Sequence, residues 1–180
     1  MKKLTMILTL AMILCFMVGC QDKKAMAKLE KFKAQAALEE QNKEIVKRFF
    51  EELNKGNIEI YEELCTPDYG FYQPSNTPKP MSREETKEFI KMILKTFPDV
   101  KWNIKEIFAA GDRVIVWFIN TGTHEGEFQG IPATGNKVEV GTIVIYRIKN
   151  GQIVEEKEEF NALGLMMQLG MEFKPKEAEK

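Results

Sequence analysis

KVEVGTIVIYRIKNGQIVEEKEEF, Lys137 to Phe160, decides the fold. Its two halves are rich in β-branched and aromatic residues at a period of two, which predicts strands over Lys137–Lys149 and Gln152–Phe160. Asn150-Gly151 between them is a tight-turn pair, so the two strands form a hairpin. The same period runs upstream. Val100–Phe108 and Arg113–His124 read as strands joined at Gly111-Asp112, and EGEFQGIPATGN is a long loop between the middle strands.

Before Val100 the period is helical. NKEIVKRFFEELNK, Asn42 to Lys55, sets Ile45, Val46, Phe49, Phe50 and Leu53 on one face, and Gly56 stops the helix. IEIYEELC predicts a short second helix ended by Thr66-Pro67, followed by a brief strand in DYGFYQP and a proline-punctuated loop, SNTPKP. Ser82 opens the third helix with a Ser-x-x-Glu capping box, its apolar face being Phe89, Ile90, Ile93, Leu94 and Phe97. Three helices and then a meander make an α+β domain, helices packed on one face of a curved antiparallel sheet around a pocket.

The chain has 180 residues, 44% hydrophobic and 29% charged, with a formal net charge of -1. That is enough for one ordinary domain, and it supplies no electrostatic reason to expect nucleic acid as a partner. MKKLTMILTLAMILCFMVGC has a basic start, an apolar stretch and small residues, the layout of a secretory signal. Its ending, Met17-Val18-Gly19-Cys20, resembles a bacterial lipobox, which implies a signal peptide over 1–19, lipidation at Cys20, and an exported protein anchored to a bacterial membrane. Residues 20–41 read as a charged helical spacer, 42–171 as the domain and 172–180 as a charged tail. With Cys15 in the signal and Cys20 lipidated, Cys65 stands alone as a buried apolar residue, and no disulfide framework is expected.

Phosphate-cradling, dinucleotide and serine-hydrolase motifs are missing, and His124 is the single histidine. His-rich and thiolate metal sites are therefore not expected, and a metal site made only of carboxylates stays open. His124 reads as a strand-end residue bonded to the loop backbone, with a pocket-edge acid or base as the competing role. Glu155, Glu156, Glu158 and Glu159 read as a solvated, salt-bridged strand, with a paired-carboxylate site as the alternative; period two puts Glu155 and Glu159 on one face and Glu156 and Glu158 on the other.

NKEIVKRFFEELNKGN, FPDV, TGTHEGEFQGIPATGNKVEV, YRIKNGQIVEE and ALGLMMQLG together resemble the SnoaL-like polyketide cyclases, often labelled ester cyclases. The resemblance implies a cone-shaped NTF2-like fold, pairing of two copies through their sheets, and an intramolecular aldol reaction without cofactor. The family's general acid–base is an aspartate in the pattern Trp-x-x-x-Asp-x-Leu-Gly-Leu. Aligned on Leu163-Gly164-Leu165, that position is Asn161 here, and the tryptophan position is Lys157. The histidine that commonly follows Asp-Tyr is also absent after Asp68-Tyr69. An amide has no proton to exchange near neutrality, so the resemblance implies a pocket for a small apolar or aromatic molecule with inherited catalysis lost. The expected pocket residues are Phe71, Tyr72, Trp102, Trp117, Phe128, Tyr146, Phe160 and Asn161. The alternatives are a cyclase, isomerase or hydratase whose acid has moved to Glu159 or His124, or an interaction module working through the sheet.

Overall fold

Ser82 starts the third helix as its sequence demands: its hydroxyl accepts from the Glu85 amide, and the Glu85 carboxylate accepts from the Ser82 amide. The computed structural model describes residues 2–172, with side chains from Lys23 onward. Cys20, the residues before it and the end of the charged tail fall outside the described side chains.

In chain order the elements are α1 (Lys2–Asn54), α2 (Ile60–Leu64), β1 (Cys65–Tyr72), β2 (Met81–Ser82), α3 (Arg83–Thr96), β3 (Lys101–Ala110), β4 (Arg113–Thr123), β5 (Lys137–Lys149), β6 (Gln152–Phe160) and α4 (Ala162–Gln168). The chain divides into two units, residues up to Leu38 and a body from Glu39 on. In the first unit Met26, Leu29, Phe32 and Leu38 are exposed. Among the described residues no helix is long and apolar enough to cross a membrane.

In the body, α1 stops where expected. Gly56 has a φ of 77°, and its amide donates to the Leu53 carbonyl at 2.9 Å while Asn57 donates to Glu52 at 3.0 Å. The Asn54 side chain then bridges to β3, donating to the Trp102 carbonyl at 3.0 Å and accepting from its amide at 2.8 Å. α2 ends one residue earlier than the sequence suggests. Cys65 is already extended and opens β1.

The sheet has six strands in the order β2-β1-β6-β5-β4-β3. From β3 to β6 it is the expected antiparallel meander, and Asn150 and Gly151, both at positive φ, make its hairpin turn. β1 adds a pair that the meander does not contain: it lies parallel to β6, with Phe71 opposite Glu156 and Tyr72 opposite Lys157. A parallel neighbour needs a crossover, and the helix and strands between β1 and β6 provide it.

Alternation along the strands builds the core. Val114, Val116 and Phe118 of β4 and Val144, Tyr146 and Ile148 of β5 turn towards Val46, Phe49, Phe50 and Leu53 of α1. A second cluster gathers Phe97, Val100, Phe128, Val138, Val140, Leu165 and Leu169 at the far end of the same face. β6 breaks the alternation once. Ile148 pairs with Ile153 while Arg147 pairs with Glu155, leaving Val154 as the extra residue of a bulge. Ile153 is buried before the bulge; after it the buried phase passes to Glu156.

Candidate functional site: an aromatic cavity with two carboxyl groups

Between the two core clusters the helices do not fill the concave face of the sheet. A cavity of about 140 Å³ remains, walled by Phe50 and Leu53 of α1, Phe89, Ile90 and Ile93 of α3, and inward side chains of β1 and β3 to β6. Among its lining residues only Tyr61, Tyr146, Glu156 and Glu158 can ionise, and no cation is present to balance the two acids.

Five of the expected pocket residues line this cavity: Phe71, Trp102, Phe128, Tyr146 and Phe160. Tyr72, Trp117 and Asn161 lie outside it. Strand alternation corrects the first two: burying Phe71 sends Tyr72 to the opposite side, where the Lys157 ammonium stands 5.1 Å from its ring centre, and burying Val116 and Phe118 leaves Trp117 43% exposed on the outer face. Asn161 is exposed and caps α4, its Oδ1 accepting from the Gly164 amide at 2.8 Å. A Cβ on Gly164 would come within 2.4 Å of the Asn161 amide nitrogen, so the Leu163-Gly164-Leu165 motif clears room for the cap. Asparagine and aspartate are comparable caps, and this local turn survives the change of residue.

Neither proposed substitute acid reaches the cavity. His124 is fully buried and belongs to the loop, as its bland reading had it: its backbone pairs with Asn136 and Gly135, and Nδ1 accepts from the Thr134 amide at 3.3 Å. Its ring packs 5.4 Å from that of Phe97, which separates it from the cavity. Glu159 is exposed and anchors the loop after β1, accepting from the Ser75 amide at 2.9 Å and from its hydroxyl at 2.5 Å. Those bonds hold its carboxyl below the usual range.

The acids that do face inward are the other two of the cluster. Glu155 fits the salt-bridged reading, lying near Arg147 at 3.5 Å and Lys157 at 3.4 Å, and Glu159 fits the solvated one. Glu156 and Glu158 do not. Glu156 is 5% exposed, accepting at Oε2 from the Tyr69 hydroxyl and at Oε1 from the Tyr146 hydroxyl, 3.2 Å away. Glu158 is half-buried, lines the cavity and accepts at Oε1 from the side-chain amide of Gln73. Burial pushes the Glu156 carboxyl up to about 7 against the pull of the two tyrosines. Burial, reinforced by the charge of Glu156, pushes Glu158 up to about 8. Burial also drives the phenols of Tyr61, Tyr69 and Tyr146 well above their ordinary value, so all three remain hydroxyl donors at any ordinary pH.

Sequence reasoning separated these acids by face and did not decide which face was inward; it passed over Tyr69 and Gln73. A carboxyl that is protonated at neutrality, beside a second acid in an apolar cavity, is equipped to give and take protons. Among the described residues no group of three or more His, Cys, Asp or Glu could hold a metal ion.

The family pattern described as SnoaL-like polyketide cyclase matches residues 44–169. The chain belongs to the SnoaL-like family. Among solved structures, AclR of Streptomyces galilaeus, provisionally named a hydroxylase, is 27% identical with a TM-score of 0.67, covering 73% of this chain and 97% of that one. IdmH of Streptomyces antibioticus, provisionally named a polyketide cyclase, is 27% identical with a TM-score of 0.64, covering 73% and 99%. A SnoaL-like protein of Jannaschia is 26% identical with a TM-score of 0.66, covering 73% and 92%. No match was found among curated proteins. The shared region takes in the six-stranded sheet and most of the cavity wall, and the family's NTF2-like cone is the α+β body described above.

The raised carboxyls make stability depend on pH. The unfolded chain releases these protons near pH 4.3, whereas the folded protein keeps them to about 7 and about 8, so the folded state binds more protons in between. Stability therefore falls as pH rises from about 4.5 through about 8. Glu158→Gln removes its share of that slope. Its Tm, relative to the parent protein, is expected to be higher at pH 8.5 than at pH 5 by roughly 3 °C or more; parallel Tm-against-pH curves for the two proteins would refute the inward, desolvated carboxyl.

Proposed function

We propose that this protein is an exported, lipid-anchored member of the SnoaL-like family whose cavity takes a small, neutral, apolar or aromatic carbonyl compound and moves protons on it with Glu158. One observation carries the reading: Glu156 and Glu158 stand in a cavity whose remaining walls are mostly apolar and aromatic, with Gln73, Asn120, Thr121 and Gln129 as the other polar side chains. The volume, about 140 Å³, is close to that of a cavity known to admit benzene, about 150 Å³, which favours a ligand with one ring buried. Two acids without a cation among the lining residues disfavour an anionic ligand.

The chemistry needs no cofactor. Protonated Glu158 donates its hydrogen to a carbonyl oxygen while water takes the α-hydrogen, giving the enol, or the Glu158 carboxylate takes the α-hydrogen, giving the enolate and the protonated acid; aldol closure and isomerisation both start this way. A binding role without catalysis is the second reading, and Asn161 at the family's aspartate position favours it. The two are separated with acetophenone or cyclohexanone in D2O, following exchange of the α-hydrogens by proton NMR. Exchange above background, reduced 10²- to 10⁴-fold by Glu158→Gln, is expected. Ligand-induced thermal stabilisation without exchange would favour binding alone, and neither effect with any ring-sized ketone would end both readings.

Export rests on the basic start, apolar stretch and Cys20 of the first twenty residues. In a bacterial host, a labelled fatty acid is expected to enter the full-length protein and not its Cys20→Ala variant. Equal labelling of both would remove the anchor.

Pairing of two copies through the sheet has support in its outer face, where Phe108, Ile115, Trp117 and Ile143 are exposed together on β3, β4 and β5. Trp117→Glu is expected to convert a dimer into a monomer in analytical ultracentrifugation. A parent protein that sediments as a monomer at tens of micromolar would exclude both this dimer and an interaction role that depends on it.

A further inference from the structure

We propose that Glu156 is a positioning residue: clamped by Tyr69 and Tyr146 against the sheet, its negative charge keeps the neighbouring Glu158 carboxyl in the acid form and hands it to the cavity as the proton donor. The inference rests on the reading of Glu158 as the acid of the site and assigns what sets its proton.

Both acids project from the same face of β6 after the bulge at Val154, so their backbones are roughly 7 Å apart along the strand. Their hydrogen-bond partners differ. Each oxygen of Glu156 accepts from a phenol, Oε2 from Tyr69 and Oε1 from Tyr146 at 3.2 Å. Glu158 is bonded at Oε1 only, by the side-chain amide of Gln73. Two donors stabilise an anion better than one, so when the pair holds a single proton it resides on Glu158. Burial works against this division, because Glu156 is the more enclosed of the two, and its second phenol donor offsets that cost.

Little else facing the pair can ionise. α2 brings Tyr61, β1 brings Tyr69 and the buried Cys65, β5 brings Tyr146, and Glu159 lies beyond Glu158 on the opposite side of β6. α1, α3, α4, β3 and β4 present only uncharged side chains to the cavity. Burial pushes the Cys65 thiol and the phenols up, so none becomes a competing anion near neutrality. The charge that acts on Glu158 from inside the cavity is that of Glu156.

The test needs no ligand. Full-length protein carrying ¹³C at the glutamate side-chain carboxyls is titrated by NMR from pH 4 to 10, with Glu156 and Glu158 assigned by single substitution. Glu158 is expected to lose its proton last of the two, with a midpoint near 8. In Glu156→Gln that midpoint falls by roughly one pH unit, and in Glu156→Asp most of it is restored. Tyr146→Phe is a milder variant. By removing one donor from the Glu156 anion, it raises the Glu156 midpoint.

A Glu158 midpoint unchanged in Glu156→Gln, a Glu156 midpoint unchanged in Tyr146→Phe, or Glu156 titrating last in the parent protein would each overturn the assignment. Ketone exchange is not part of this readout. Coupled titration without turnover would refute the proposed chemistry and leave the positioning role standing, whereas turnover without coupling would do the reverse.

Discussion

A one-residue bulge in β6 governs the interior of this protein. Up to Ile153 the strand follows the phase that a hairpin with β5 imposes; Val154 is inserted, and every side chain after it changes face. Without the insertion, Glu155, Lys157 and Glu159 would enter the core and Glu156 and Glu158 would be solvated. With it, the two acids enter an aromatic cavity, and the outward residues find Arg147, Lys157 and Ser75 as partners.

The inward acids cost solvation, and three neighbouring donors limit that cost. Tyr69, Tyr146 and Gln73 come from β1, β5 and the segment after β1, so the acid pair also ties together the parallel and the antiparallel neighbours of β6. Glu159 adds a second tie, on the other side of the strand, to Ser75 in the same loop. Two adjacent residues at the end of β6 thus hold one loop, one from inside the cavity and one from the surface. The elevated carboxyls, the shape of the cavity and the path of that loop are consequences of one strand phase.

Much of the architecture was legible residue by residue. Ser82 and Glu85, Gly56, and Asn150-Gly151 each act through the backbone of a few neighbouring residues, and each is found doing what its local chemistry requires. The candidate site was legible in part. Phe71, Trp102, Tyr146 and Phe160 line the cavity because period two, once anchored to a buried face, sorts aromatic side chains correctly, and Phe128 reaches it from the loop between β4 and β5. The same rule excludes Tyr72 and Trp117 once that anchor is known. Asn161 was expected in the pocket wall because of its place in the family motif, whereas its immediate neighbours use it as an exposed helix cap.

The sequence by itself determined the α+β class, most element boundaries, the SnoaL-like resemblance and the grouping of the four glutamates into two faces. These follow from periodicity and turn chemistry, which act over a few residues and can be read along the chain. Tertiary structure alone decided which glutamate face is inward, which tyrosines clamp it, and that β1 runs parallel beside β6. A bulge is one residue without a distinctive composition, and the pairing of Tyr69 with Glu156 spans 87 positions, so neither leaves a local pattern to read.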